Sequence, residues 1–343
     1  MRARPTLTAL FLVAALGASL AGCGAPSQLG RSDQERVAGR TFVVTGASSG
    51  FGRGVALKLA SYGANVVLAA RRTEMLEEVA AEARAAGGQP LVVATDVGRP
   101  EQVERLANAA VERFGRIDVW INNAGVGAIG RFEEIPVEDH ARIVDTNLKG
   151  VIYGSHAALR QFRRQGFGTL VNVASVEGKV PLAYHASYAA TKHAVLGLGA
   201  ALNQELRLGG AETTKVASVL PWAVDTPYWQ HTGNYSGGTP RMYFMDGPQE
   251  TVDAIVWVSL HPRKEYAVGW KAEGAVLGDR IWPGLAERVA GDVVYRAQVE
   301  TAPPAPPTAG SVHEPMRAGT AVEGGARARM AREDQQRRER GGR

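Results

Sequence analysis

Short apolar runs alternate with longer segments of helical periodicity between residues 40 and 300. The apolar runs predict seven strands, at Thr41–Thr45, Ala64–Ala70, Pro90–Thr95, Asp118–Ile121, Gly168–Ala174, Lys215–Leu220 and Tyr266–Val268. The segments between them predict helices at Gly50–Tyr62, Glu74–Ala86, Glu101–Phe114, Val137–Arg164 and Ser187–Leu208. Strands that are apolar almost throughout are typical of a parallel sheet covered on both faces. With right-handed crossovers, the pattern predicts one doubly wound, Rossmann-type α/β domain over residues 40–300.

The two flanks of this region have a different composition. Residues 24–39 are polar and punctuated by glycine, which predicts a linker. After residue 300 come a proline run and a tail with eight arginines against five acidic residues. Because the tail has few apolar side chains to offset its ordering entropy, we predict that residues 301–343 are disordered. The net charge of +5 includes that tail, and the rest has no basic stripe with interleaved aromatic residues, so no nucleic-acid partner is expected.

The N-terminus has the layout of an export signal. Arg2 and Arg4 precede an apolar run, Leu7–Ala21, and small residues follow. The sequence Leu-Ala-Gly-Cys that ends at Cys23 resembles the lipobox of bacterial lipoproteins. The run is shorter than the roughly 20 residues that span a bilayer, so residues 1–23 predict a cleaved signal and membrane association through a lipidated Cys23. An uncleaved interfacial anchor, or a true start downstream that gives a cytoplasmic protein, are the alternatives.

A glycine-rich turn joins the first strand to the first helix of the domain. The sequence Thr-Gly-Ala-Ser-Ser-Gly-Phe-Gly begins at Thr45 and leads directly into a helix. Such a turn lets the backbone approach a pyrophosphate, which the helix amides and dipole then bind. The predicted dinucleotide contacts here are Gly46, Ser48, Ser49, Gly50, Phe51 and Gly52.

The end of the second strand indicates which dinucleotide binds. An acidic residue at this point recognises a ribose 2′-hydroxyl, whereas a 2′-phosphate requires a cation. This chain has Arg71 and Arg72 there and no acidic residue. A guanidinium can bind phosphate oxygens with two parallel hydrogen bonds. We therefore expect NADP(H) rather than NAD(H), with Arg71 on the 2′-phosphate.

Further motifs follow in an order and spacing that resemble the short-chain dehydrogenase/reductase family. Asp96-Val97 follow the third strand, Asn123-Ala124-Gly125 follow the fourth, and Asn147 lies in the next helix. Ser175 stands thirteen residues before Tyr188, and Lys192 follows four residues later. The resemblance covers about residues 41–226. It implies an oxidoreductase that moves a hydride between nicotinamide and a carbonyl/alcohol pair, usually as a homodimer or homotetramer that pairs the two long helices.

The spacing of Tyr188 and Lys192 agrees with that chemistry. Residues four apart share a helix face, and a nearby ammonium stabilises a phenolate and lowers its pKa. Tyr188 would then act as the general acid/base. The resemblance implies that Ser175 donates to the substrate oxygen, that Lys192 also holds the nicotinamide ribose, and that Asn147 interrupts its helix to hold a proton-relay water. No metal site is expected, since Cys23 is the only cysteine.

The resemblance extends these assignments to the remaining contacts. Asp96 and Val97 would meet the adenine, and Asn123, Ala124 and Gly125 would lie by the adenine ribose. Pro221, Val224 and Thr226 match a motif that binds the nicotinamide carboxamide and the diphosphate. The chain departs from that motif at Trp222, which replaces a glycine, so we expect a narrowed pocket or a shifted nicotinamide ring.

Other residues near these motifs are assigned by exclusion. His185 and His193 have no carboxylate at a useful spacing and are expected in the pocket lining or at the surface. Tyr184 has no lysine four residues on and is expected to line the substrate pocket. Residues 227–248 are rich in tyrosine, tryptophan and methionine, which favours an apolar or bulky substrate; a packed loop or a membrane-facing patch is the alternative. The competing function is a catalytically weak or inactive binding protein anchored at a membrane, which Trp222 and the export signal favour.

Overall fold

A seven-stranded parallel sheet forms the centre of the molecule. The computed structural model describes residues 28–341. The strand order is β3-β2-β1-β4-β6-β7-β9, and every pairing is parallel. The strands of this sheet are β1 Thr41–Thr45, β2 Asn65–Ala70, β3 Gln89–Ala94, β4 Val119–Asn122, β6 Gly168–Val173, β7 Thr214–Leu220 and β9 Glu265–Ala267. A small second sheet pairs β5 Ala128–Ile129 with β8 Gly233–Asn234. The predicted doubly wound α/β fold with seven strands is confirmed.

Helices cover both faces of the sheet. Along β1, Phe42 and Val44 pack into one hydrophobic core and Val43 packs into the other, because successive side chains of a strand point to opposite faces. The α-helices are α1 Arg31–Val37, α2 Gly50–Ser61, α3 Thr73–Ala85, α4 Pro100–Phe114, α5 Val137–Val144, α6 Gly150–Gln165, α7 Ala186–Leu208, α8 Tyr228–His231, α9 Pro248–Leu260, α10 Gly269–Ile281, α11 Pro283–Tyr295 and α12 Ala326–Gly341. The short 3₁₀ and π turns are Phe132–Glu134, Asp145–Lys149, Val176–Gly178 and Arg296–Glu300.

Strand and helix boundaries agree with the sequence prediction to within one or two residues, with one informative exception. The helix predicted over Val137–Arg164 is interrupted by a π-helical turn, Asp145–Lys149, between α5 and α6. Such turns insert one extra residue per turn and occur frequently at functional sites. The turn contains Asn147.

The described part of the predicted linker, residues 28–39, packs against the domain. Residues Arg31–Val37 form α1, and both Leu29 and Val37 are buried in the core on one face of the sheet. The predicted signal and Cys23 lie outside the described residues. None of the helices between residues 28 and 341 combines the length and apolar content needed to cross a bilayer.

The C-terminal segment is folded onto the domain, contrary to the predicted disorder. It ends in α12, and Val312, Ala326 and Met330 are buried. Two features that composition does not register hold it in place. Its backbone carbonyls accept hydrogen bonds from arginines of the domain, and the Asp225 carboxylate accepts from the Ala326 and Arg327 amides at the start of α12.

Candidate active site

The motif residues meet at the carboxyl ends of the parallel strands. Ligands of doubly wound sheets bind there, next to the point where the strand order reverses, here between β1 and β4. A cavity of about 1350 Å³ opens at this edge. The predicted residues that line it are Gly46, Ser48, Ser49, Gly50, Phe51, Arg71, Asp96, Val97, Asn123, Ala124, Gly125, Ser175, Tyr188, Lys192, Pro221, Val224 and Thr226. Gly52 and Asn147 lie behind the lining.

The glycine turn is shaped so that no side chain fits at two of its positions. Gly46 has a φ of +70°, and a Cβ there would stand 2.9 Å from the Ala124 Cα. A Cβ on Gly52 would stand 2.2 Å from the Gly46 carbonyl oxygen. The turn therefore closes tightly on itself and opens α2 towards the cavity, which is the cradle that a pyrophosphate requires.

Asn123 fixes the turn after β4 against the turn after β1. Its backbone amide donates to the Thr45 hydroxyl at 2.9 Å, and its side-chain amide donates to the Thr45 carbonyl oxygen at 2.9 Å. A Cβ on the neighbouring Gly125 would lie 3.5 Å from the Asn147 Oδ1 and 3.9 Å from the Lys192 Nζ. Asn123 therefore holds the two turns together, and Gly125 lies close to Asn147 and Lys192.

Tyr188 and Lys192 lie on the first turns of α7 and face the end of β6. The Lys192 Nζ is 5.3 Å from the centre of the Tyr188 ring and donates a 2.9 Å hydrogen bond to the Val173 carbonyl oxygen. Ser175 follows β6, and its Oγ accepts a hydrogen bond from the Glu177 amide at 3.1 Å. Because that bond uses an acceptor site, the hydroxyl proton of Ser175 can still be donated, to the Tyr188 oxygen or to a substrate oxygen.

Burial dominates the protonation equilibria of this pair. It raises the pKa of Tyr188, and the negative charge of Glu177 raises it further, while a hydrogen bond with Ser175 acts in the opposite direction. Burial lowers the pKa of Lys192 to about 8, and Glu177 opposes that shift. The spacing predicts that Lys192 lowers the pKa of Tyr188, but in the structure the net shift of the Tyr188 pKa is upward. Both shifts favour the neutral forms.

Asn147 clamps the backbone that runs past the site. Its Oδ1 accepts from the Val126 amide at 2.9 Å, and its Nδ2 donates to the Val126 carbonyl oxygen at 2.8 Å. The side chain is fully buried. The π turn that interrupts the helix is present as expected, and it directs this side chain to the loop after β4.

Glu177 and His185 form a buried pair that sequence reasoning missed. His185 Nδ1 lies 3.2 Å from one Glu177 carboxylate oxygen. The other Glu177 oxygen and His185 Nε2 are buried without a hydrogen-bond partner among the described residues. The His185 ring lies edge-on to Tyr188, with centroids 6.4 Å apart. The expectation that His185 has no carboxylate partner is wrong, because the turn after Ser175 folds back onto the start of α7.

The two arginines after β2 are already hydrogen-bonded within the chain. Arg71 donates to the carbonyl oxygens of Ser311 and His313, at 2.6 and 2.5 Å. Arg72 donates to the hydroxyls of Ser48 and Ser49, at 3.1 and 2.8 Å. Burial lowers the pKa of both guanidinium groups, but arginine side chains keep their proton in proteins, so both remain cationic. A cationic and hydroxyl-rich corner therefore stands at the adenosine end of the cavity.

Asp96 lines the cavity but its carboxylate also has partners in the chain. It accepts from Arg142 Nη2 at 2.6 Å and from the Gly98 amide at 3.0 Å. Burial opposes ionisation of Asp96, but these hydrogen bonds outweigh it and hold the pKa below its usual value. An ionised Asp96 can accept one further hydrogen bond, as an adenine amino group would give.

Trp222 fits its position without distortion. Among residues 28–341 only Tyr184 and Phe244 are non-glycine residues with a positive φ, so Trp222 does not use the backbone freedom of the glycine it replaces. Its indole nitrogen donates to the Phe244 carbonyl oxygen at 3.1 Å, and the ring lines the cavity. The substitution adds an apolar wall to the cavity.

The substrate end of the cavity is apolar. Residues of the 227–248 segment and of α10 and α11 line it, among them Trp229, Met242, Phe244, Trp270, Leu277, Trp282 and Leu285. Tyr184 does not line the cavity, so the expectation that it lines the substrate pocket is wrong; it packs behind the wall, against the hydrophobic cluster that contains Trp229 and Met242. His193 is exposed on α7, as expected.

The comparisons with known proteins agree with this geometry. The family model described as short chain dehydrogenase matches residues 40–235. The chain is 34% identical over 262 residues to the uncharacterized oxidoreductase YxnA of Bacillus subtilis (strain 168), which covers 76% of this chain and 73% of that protein. It is 35% identical over 224 residues to an uncharacterized oxidoreductase of Staphylococcus haemolyticus (strain JCSC1435), covering 65% of this chain and 92% of that protein.

Solved structures with cofactors are similar to the chain as well. A short-chain dehydrogenase/reductase from Burkholderia phymatum in complex with NAD has a TM-score of 0.63 and 28% identity, over 75% of this chain and 97% of that one. An alcohol dehydrogenase from Thermococcus sibiricus complexed with 5-hydroxy-NADP has a TM-score of 0.57 and 28% identity, over 67% and 95%. The chain belongs to the short-chain dehydrogenase family and is an oxidoreductase of that family.

Proposed function

We propose that the protein is an NADP(H)-dependent oxidoreductase that reduces a carbonyl, or oxidises an alcohol, with Tyr188 as general acid/base. The observation that carries the proposal is the convergence of Ser175, Tyr188 and Lys192 on one cavity that also contains the glycine cradle. The bound nicotinamide would supply or accept the hydride. The protein supplies the proton and positions the substrate oxygen.

The protonation states of the free site suit reduction. Burial and Glu177 keep Tyr188 protonated, so it can give its proton to the oxygen as the carbonyl carbon is reduced. The Ser175 hydroxyl donates to the same oxygen, where negative charge develops. Lys192 is held by the Val173 carbonyl beside the Tyr188 ring, and its charge would stabilise the phenolate that remains. In the direction of oxidation the same groups act in reverse.

The residues present fit an NADP dinucleotide. The Gly46–Gly52 turn leaves room for the pyrophosphate at the start of α2, since no side chain fills it. Ser48, Ser49, Arg71 and Arg72 would hold the 2′-phosphate, Asp96 and Val97 the adenine, and Tyr188 and Lys192 the nicotinamide ribose. The Pro221, Val224 and Thr226 backbone lines the far end of the cavity and would hold the carboxamide and diphosphate.

The apolar wall formed by Trp222, Phe244 and helices α10 and α11 favours a hydrophobic or bulky carbonyl substrate. Members of this family act on small molecules and often form oligomers. We accordingly propose a homodimer or homotetramer that pairs α6 and α7 of neighbouring copies, which analytical ultracentrifugation can measure.

The decisive experiment is NADPH consumption by the purified full chain. We expect loss of NADPH absorbance with aldehydes and ketones, with kcat/KM rising along a homologous series of alkyl ketones as the chain lengthens. Binding of NADPH without turnover on any carbonyl or alcohol would instead favour the inactive binding protein. Absence of both binding and turnover would refute the proposal.

A further inference from the structure

The segment Ser311–Ala321 runs across the adenosine end of the cavity; we name it the strap. Its carbonyl oxygens at Ser311 and His313 accept from Arg71, and the Met316 carbonyl oxygen accepts from Arg72 at 3.0 Å. Ser311 lines the same cavity as the glycine turn. The strap therefore uses the two cations that a 2′-phosphate would require.

The strap also reaches the start of α2. The Ala321 carbonyl oxygen accepts from the Gly50 amide at 2.9 Å. That amide is one of the free N–H groups at a helix N-terminus, which ordinarily attract phosphate oxygens. Like phosphate oxygens, carbonyl oxygens carry negative charge and accept hydrogen bonds. The strap therefore satisfies the same donors, Arg71, Arg72 and the Gly50 amide, that a nucleotide would use.

Both ends of the strap are fixed to the domain. On one side the Ser311 amide donates to the His231 carbonyl oxygen at 2.7 Å, and the His313 ring lies 2.7 Å from the Asp139 carboxylate. On the other side α12 follows, capped by Asp225 and paired through a 2.8 Å ion pair between Arg241 and Asp334. The strap is thus a bridge over the site that is held at both ends.

We infer that the strap competes with the 2′-phosphate for Arg71 and Arg72 and so sets the discrimination between NADP(H) and NAD(H). The inference rests on the proposed cofactor site. Hydrogen bonds from a guanidinium to a phosphate are charge-assisted on both sides and stronger than those to a neutral carbonyl. NADPH therefore displaces the strap from both arginines, whereas NADH, which carries a hydroxyl at that position, competes only with the Ala321 carbonyl oxygen for the Gly50 amide and leaves the strap on the arginines.

Two glycines allow the strap and its exit to be loosened. A Cβ on Gly310 would meet only the His231 and Thr232 backbone, whereas one on Gly324 would press on Thr226, a proposed cofactor contact, so Gly310→Ala is the primary variant. A Cβ on Gly310 would stand 2.3 Å from the His231 carbonyl oxygen, and one on Gly324 would stand 2.2 Å from the Thr226 carbonyl oxygen. Gly310→Ala and Gly324→Ala each force the chain away from the domain on one side of the strap. Gly291→Ala is the matched control, because a Cβ there meets no atom within 4 Å.

The test uses the full chain and measures Kd for NADPH and NADH by fluorescence titration, with hydrogen exchange of the strap peptide. In the wild type, saturating NADPH is expected to speed exchange in residues 311–316, which hold the arginine contacts, and NADH to leave exchange in those residues unchanged. In each loosened variant the ratio of the NADH Kd to the NADPH Kd is expected to rise about tenfold, with no change in Gly291→Ala.

Several results would overturn the inference. Slower exchange of the strap on NADPH addition would mean that it closes over the phosphate as part of the site. An unchanged or lower Kd ratio in both loosened variants would mean that the strap does not compete. If the variants do not fold, the wild-type exchange result alone decides. If NADH binds and NADPH does not, even with the strap loosened, the inference fails but an oxidoreductase remains; if neither dinucleotide binds, the proposed function fails with it.

Discussion

The Lys192 ammonium lies 5.3 Å from the centre of the Tyr188 ring, one helical turn further along α7. Its hydrogen bond to the Val173 carbonyl oxygen fixes it at the end of β6, so strand and helix together set its distance from the phenol. The relationship places a titratable cation beside a proton donor within a largely buried site.

The buried Lys192 makes stability depend on pH. Its pKa is about 8 in the folded chain and 10.5 in the unfolded reference, so between these values the unfolded state binds more protons. Stability must therefore rise with pH over this window, and the contribution is lost again as pH falls towards 8. We expect the free energy of unfolding of wild type relative to Lys192→Met to increase by up to about 3 kcal/mol from pH 8 to 10.5. If urea titrations gave a difference between the two proteins that does not change with pH, the lowered pKa of Lys192 would be contradicted.

Glu177→Gln tests the electrostatic effect of Glu177 on the acid. The carboxylate raises the pKa of Tyr188, so its removal lets the phenol lose its proton at lower pH. The alkaline decline of kcat/KM for carbonyl reduction should move down by roughly one pH unit. Glu104→Gln, an exposed carboxylate on α4, is the control and should leave the profile in place. A shift to higher pH would refute the assignment.

The glycine cradle can be tested with two glycine substitutions that are expected to change the free energy of unfolding in opposite directions. Gly52→Ala places a Cβ 2.2 Å from the Gly46 carbonyl oxygen, so we expect a loss of about 2 kcal/mol in the free energy of unfolding and weaker dinucleotide binding. Gly197→Ala adds a methyl group to α7 in open space and should stabilise by about 0.5–1 kcal/mol. Equal effects of the two substitutions on urea unfolding would show that the turn is not tightly closed.

The N-terminal proposal concerns residues outside the described part of the chain. We propose that the mature protein begins at a lipidated Cys23 and is anchored at a membrane. Intact-mass measurement of protein from its native host should find a chain starting at Cys23 with added acyl mass, and Cys23→Ser should remove that mass and release the protein. An unmodified Cys23, or a chain that starts near Val37, would refute the anchor.

The sequence predicted the sheet and the motif residues because both depend on local signals. Apolar runs such as Thr41–Thr45 identify strands by themselves, and the carboxyl ends of parallel strands lie at one edge, so residues that follow different strands meet. Tyr188 and Lys192 share a helix face for the same kind of local reason. These features required no knowledge of tertiary contacts.

The features that the sequence did not predict depend on contacts between distant segments. Glu177 and His185 are eight residues apart in an irregular loop, and their pairing follows from how that loop turns; their positions next to Ser175 and Tyr188 were the available signal. The C-terminal segment has a composition typical of disorder. It folds because Arg71 and Arg72 bind its backbone carbonyls, which are present in every sequence and so leave no signal in composition.

The central claim is that Tyr188 transfers the proton, and Tyr188→Phe tests it most directly. We expect kcat/KM for carbonyl reduction to fall by about 10²–10⁴-fold while the Kd for NADPH changes little. Tyr184→Phe, which alters the rival tyrosine outside the cavity lining, should retain wild-type turnover. A Tyr188→Phe protein that reduces carbonyls at the wild-type rate would contradict the account.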